Sequence, residues 1–166
     1  MELLYTSEFQ LSDIPPPLRS LYFQWLSLSG PDSLPALSDI DIRMLSEETH
    51  SIVLSEIIRS PDDAVEDFEV IFVGATLRRV SRESFAGALL STLPGKGPGS
   101  EIWALYSRMA SQRAPLLAAL PYLGPSKDYQ STREILMPVC GTGRPDVPQY
   151  VLTDVVLTSE PLPDSL

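Results

Sequence analysis

The 166 residues include one cysteine, Cys140, and one histidine, His50. An internal disulfide is therefore excluded, and a Cys/His zinc site falls short of its usual four ligands. Basic residues are also scarce. Twelve Lys and Arg stand against 22 Asp and Glu, a net charge of -10. Nucleic-acid affinity rests on Lys and Arg neutralising phosphates, so no nucleic-acid partner is expected. Docking to anionic lipid is disfavoured for the same reason. No apolar run approaches the ~18–20 residues of a membrane span. The longest apolar-rich stretch, residues 114–123, contains two prolines. The N-terminus carries acidic residues where a secretory leader needs basic ones. A cytoplasmic location is expected, and a lone free cysteine fits a reducing compartment.

Apolar residues make up 43% of the chain and charged residues 20%, the balance of a folded globular protein. A chain of this length buries roughly 68–70% of its unfolded surface and needs no staple. Residues 1–83 carry six basic and fifteen acidic side chains; residues 84–166 carry six and seven. The acidic half is read as a solvated surface or as a face that steers a basic partner.

Residues 1–17, ending in Pro15, Pro16 and Pro17, read as a flexible arm. Residues 159–166 read as a tail and residues 18–158 as one domain. Leu18, Leu21, Tyr22, Trp25 and Leu26 fall at i, i+3, i+4, i+7 and i+8, one stripe of an amphipathic helix. Gly30 and Pro31 end it. Ser38 to Asp41 supply capping groups for a short helix reaching about Ser46. Residues 50–58 are rich in β-branched side chains and predict a strand. A Ser-Pro-Asp-Asp turn follows, then a second strand over residues 68–74, with Phe68, Val70 and Phe72 on one face. Residues 75–80 read as a helical turn. Residues 94–99, PGKGPG, break the chain but lack the full phosphate-loop pattern. Residues 100–113 predict a second helix with Ile102, Leu105, Tyr106 and Met109 on one side. Residues 115–123, 132–139 and 150–158 predict three further strands. Strands clustered on either side of helices indicate an α+β fold with an antiparallel sheet.

This order resembles a PAS domain, and particular residues sharpen the likeness to a bacterial family of stand-alone PAS-like proteins of unknown function. Tyr22 and Trp25 match its opening helix. Pro35 with Asp39, Ile40 and Asp41 matches its Pro-x-x-x-Asp-Ile-Asp segment. The run FEVIFVG at 68–74, followed by Ala75 and Thr76, matches its second strand, and residues 81–87 correspond loosely to the segment after it. The resemblance implies a PAS-like five-stranded antiparallel sheet with helices on one face and an N-terminal amphipathic helix. It implies a non-enzymatic sensory or protein-interaction module of bacterial signalling, or a small-molecule-binding protein whose apolar cavity is the functional site. Pocket candidates are Phe72, Trp103, Tyr106, Leu120 and Tyr122, which packing alone would also explain. Arg78, Arg79 and Arg82 could meet an anionic ligand or lie on the surface. Leu18, Leu21, Tyr22, Trp25 and Leu26 would cover the chain's own sheet or pair with a second copy in a homodimer.

The cofactor is unknown. The flavin-adduct motif Asn-Cys-Arg-Phe-Leu is absent, and residues 100–113 hold no histidine for an axial haem ligand. Nucleophilic catalysis would need Cys140 with His50 as its base. Cys140 reads instead as a partly buried thiol and His50 as a polar strand-edge residue, so no enzyme is expected. Asp39 and Asp41, two apart, do not share a helix face and read as caps. The carboxylates at 62–67 read as solvated, and no metal site is expected.

Overall fold

The computed structural model describes residues 3–41, 51–81 and 85–166. His50, Arg82 and most of the short helix expected after Ser38 lie outside them. Of that segment, Leu37–Asp39 forms a single 3-10 turn.

Among the described residues six strands are present: β1 (Leu4–Thr6), β2 (Ser51–Arg59), β3 (Val65–Val73), β4 (Leu116–Pro121), β5 (Ser131–Val139) and β6 (Tyr150–Thr158). The same residues hold three α-helices: α1 (Arg19–Leu28), α2 (Ala75–Val80) and α3 (Glu101–Ser111). The strands form one antiparallel sheet in the order β1-β4-β5-β6-β2-β3. The α+β class and the antiparallel pairing agree with the sequence reading.

The count of five strands is corrected to six. Residues 3–17, expected as a loose arm, begin with β1, where Leu4 pairs with Ala119 and Thr6 with Leu117. The rest of the arm is anchored by Ile14, which is fully buried. Apolar side chains outweigh the loop signal of the three prolines here.

Helices lie on both faces of the sheet, which corrects the expectation of one. On the first face, Leu18, Leu21 and Trp25 pack over Ile52, Leu54, Ile135, Met137 and Leu152. On the second, α3 packs Leu105 and Met109 over Ile57, Leu116, Leu136 and Val151. Strand residues one apart thus go to opposite cores, as the two-residue period requires. The Trp25 indole donates from Nε1 to the Pro138 carbonyl at 2.8 Å. Pro138 lies beyond the end of the β4–β5 pairing, which stops at Leu116 and Leu136. A proline is tolerated there because it has no N–H to leave unpaired.

The expectation that Phe68, Val70 and Phe72 share a face fails at a β-bulge. Leu54 pairs with Phe72 but Ser55 pairs with Val70, so Ile71 is the extra residue. One inserted residue reverses the alternation. Phe68 and Val70 face α3 and α2, while Phe72 turns to the α1 side.

The β2–β3 hairpin turns through Ser60 to Ala64, with the Ala64 carbonyl accepting from the Ser60 N–H at 2.8 Å. Asp63 adopts φ 67°, a conformation that Asp tolerates better than most residues. Arg144, from the β5–β6 connection, clamps its carboxylate with two bonds of 2.9 and 3.0 Å. That pairing holds the Asp63 carboxyl below its usual range.

Candidate functional site

A cavity of about 820 Å³ lies between the second face of the sheet and the segment from α2 to α3. Small-molecule sites typically span roughly 300–1,000 Å³. Its floor is built from β2, β3, β4, β5 and β6 through Val53, Val70, Leu120, Glu134 and Val155. Its roof is built from Leu77, Phe85, Leu93 and Ile102. One glycine-rich segment borders the roof. Residues 94–99 contain three glycines, and Gly95 and Gly99 take φ values of 71° and 89° that other residues rarely adopt. Ser100 then caps α3, its Oγ accepting from the Trp103 N–H at 3.1 Å.

The walls are mainly apolar, and a polar stripe crosses this sheet face; Thr132, Glu134 and Thr153 line the cavity, and Ser55 lies outside it. Ser55 on β2, Thr153 on β6 and Glu134 on β5 occupy the same sheet face. Val53 pairs with Thr153 and Ser55 with Val151; Leu136 pairs with Thr153 and Glu134 with Val155. The three polar side chains therefore run diagonally across three central strands. Thr132 stands two residues before Glu134, and its hydroxyl donates to Glu134 Oε1 at 2.7 Å.

Tyr106, on α3, meets this stripe from above. Burial pushes its phenol up, and the Glu134 charge adds to the rise; the Ser55 and Thr153 hydroxyls oppose it. Those hydroxyls reach toward the phenol, yet neither Ser55 Oγ nor Thr153 Oγ1 has a well-aligned hydrogen bond. Ser55 is 0% exposed and Thr153 2%. Buried polar atoms are nearly always bonded, and the Tyr106 phenol is the group within reach of both hydroxyls. Burial also pushes the Glu134 carboxyl up, while the Thr132 hydrogen bond and the Lys96 charge pull it down. Glu134 is nonetheless half-buried, because its open surface faces the cavity.

Of the five expected pocket residues, Tyr106, Leu120 and Tyr122 line the cavity. Phe72 and Trp103 do not. The bulge at Ile71 puts Phe72 on the opposite face. Trp103 packs edge-on against the fully buried Phe68 at 5.3 Å, with Tyr106 on the same ring at 5.3 Å. Tyr122 sits at the rim. Its hydroxyl reaches the Val80 carbonyl at 3.4 Å and so ties the end of β4 to the end of α2. Arg78 and Arg79 are exposed away from the cavity, where α2 contributes Leu77 and Val80 instead.

The stripe on α1 divides. Leu18, Leu21 and Trp25 are buried against the chain's own sheet and Tyr22 partly so, whereas Leu26 is 48% exposed. Cys140 is buried, and its thiol donates to the Leu34 carbonyl at 3.4 Å. Burial raises its pKa, which disfavours a nucleophilic thiolate. Asp39 and Asp41 are exposed. Among the described residues, no group of three His, Cys, Asp or Glu side chains could hold a metal ion, and no helix is long and apolar enough to cross a membrane.

The polar stripe of Ser55, Thr132, Glu134 and Thr153 was missed by sequence reasoning. Its signal is present: in STREILMPV and VLTDVVLT, polar residues occupy positions that share a face with buried Leu136 and Val151. No family model, curated protein or solved structure matches the chain.

Proposed function

We propose that this chain is a PAS-like, non-enzymatic sensory module that binds a small ligand and signals through a protein partner. The observation that carries the reading is the 820 Å³ cavity, whose mainly apolar walls converge on Thr132, Glu134 and Thr153. An empty core would be expected to close over apolar side chains. A ligand site has the opposite character: apolar walls with a few convergent polar groups. The order of elements, two strands, a helical middle and three strands, supports the PAS-like part of the reading. The setting we propose is bacterial cytoplasmic signalling. The partner is a second copy or another protein, and its affinity must differ between the empty and filled states for a signal to pass.

Native mass spectrometry of freshly purified protein, with an absorption spectrum of the same sample, tests the reading. An added small-molecule mass is expected at one per chain. It should be absent from a Val155→Phe protein, where the new ring fills the floor. Bare protein in both samples, with no small amphiphile raising the melting temperature of the wild type, would overturn it. The same spectra distinguish monomer from dimer.

A further inference from the structure

We infer that the cavity takes a hydrophobic amine, with its ammonium group on the Glu134 carboxylate and its apolar body over Val53, Leu120 and Val155. This inference rests on the reading of the cavity as a ligand site. It names the head group that the floor selects.

The first argument is the inventory of open valences. Thr132 occupies Glu134 Oε1 and leaves Oε2 open. Thr153 Oγ1 is closed off from the cavity beneath Tyr106 and takes no part. An ammonium group offers three donors and no acceptor, so it can serve the remaining carboxylate oxygen. An alcohol offers a single donor. A carboxylate offers none and meets Glu134 as a like charge.

The second argument is charge. Two acids and one base are among the described lining residues: Glu134, Glu101 and Lys96. Glu101 is engaged through Oε2, which accepts from the Leu3 N–H at 3.2 Å. Lys96 lies over the Phe85 ring, 5.4 Å from its centre. Glu134 makes no salt bridge among the described residues, although the Lys96 charge in the same cavity acts favourably on it. A carboxylate taken from water is costly unless a cation accompanies it, so a ligand that brings the cation binds better for doing so. Charge-assisted hydrogen bonds are also about twice as strong as neutral ones.

Calorimetric titration with n-octylamine, 1-octanol and nonanoate at neutral pH separates the possibilities. The three probes share a chain and differ in the head group. Octylamine should bind at one site per chain and about tenfold tighter than octanol, with nonanoate weakest. In Glu134→Gln protein the amine and the alcohol should bind within about twofold of each other. A general attraction of amines to the acidic surface would survive that substitution, and an amine preference persisting in the variant overturns the inference. Octanol or nonanoate binding as tightly as octylamine to the wild type also overturns it, while the cavity reading stands. Binding of none of the three overturns both.

Discussion

The Thr132 hydroxyl donates a 2.7 Å hydrogen bond to Glu134 Oε1, two residues along the same strand and on the same side of it. The bond fixes the carboxyl at the floor of the cavity. It does not repay the full cost of burial, because the Glu134 pKa remains above its ordinary value of 4.5.

That shift sets a pH dependence. Between its unfolded and folded pKa values, Glu134 is protonated in the native state and ionised in the unfolded one. The native state binds the extra proton, so stability falls as pH rises through this window and levels off above it. Glu134→Gln should remove that slope. At neutral pH the variant should melt above the wild type. Melting curves from pH 4 to 8 on both proteins check the prediction. Equal slopes would show that Glu134 is not the titrating group.

Thr153→Val should leave binding nearly unchanged and test the worth of the buried hydroxyl to stability. The valine keeps the shape and removes a buried hydroxyl that has no well-aligned partner. Replacing such a group with an apolar one of equal shape is neutral to stabilising, by up to about 1 kcal/mol. Octylamine affinity should stay within about twofold in the same protein, because the hydroxyl is closed off from the cavity. Melting curves with calorimetric titration measure both. A loss of stability would mean that the hydroxyl has a native partner.

Trp25→Phe keeps the ring against the sheet and deletes the indole N–H. The Pro138 carbonyl then loses its 2.8 Å donor. Leaving a buried acceptor unsatisfied costs about 1–3 kcal/mol. Urea unfolding should shift its midpoint accordingly, with little change in slope. An unchanged midpoint would show that water takes the carbonyl.

The α1 stripe should divide in the same way energetically. Leu21 is fully buried and Leu26 is 48% exposed. Leu21→Ala should cost about 2–5 kcal/mol, whereas Leu26→Ala should stay within about 0.5 kcal/mol. Similar losses at both positions would mean that Leu26 is covered in solution.

Much of the secondary structure was legible because its causes are local. The helix at α3 follows from Ile102, Leu105, Tyr106 and Met109 at helical spacing. β6 runs over the same residues, Tyr150–Thr158, that the apolar run predicted. β1 was not legible, because Leu4, Tyr5 and Thr6 become a strand only when β4 offers an open edge. Of the expected pocket residues, Tyr106, Leu120 and Tyr122 line the cavity, whereas Phe72 and Trp103 lie away from it. Period-two counting placed Phe72 on the cavity side, and the register of β2 against β3 moved it across.

The sequence by itself determined the antiparallel α+β class, the positions of most strands and helices, and the lack of a disulfide. Those properties depend on composition and on short-range periodicity. The tertiary structure decided which sheet face each side chain occupies, through the bulge at Ile71. It also brought Ser55, Thr132, Glu134 and Thr153 into one stripe under Tyr106. These residues are nearly a hundred positions apart at their extremes. Only strand register, a long-range property, can place them on a single floor.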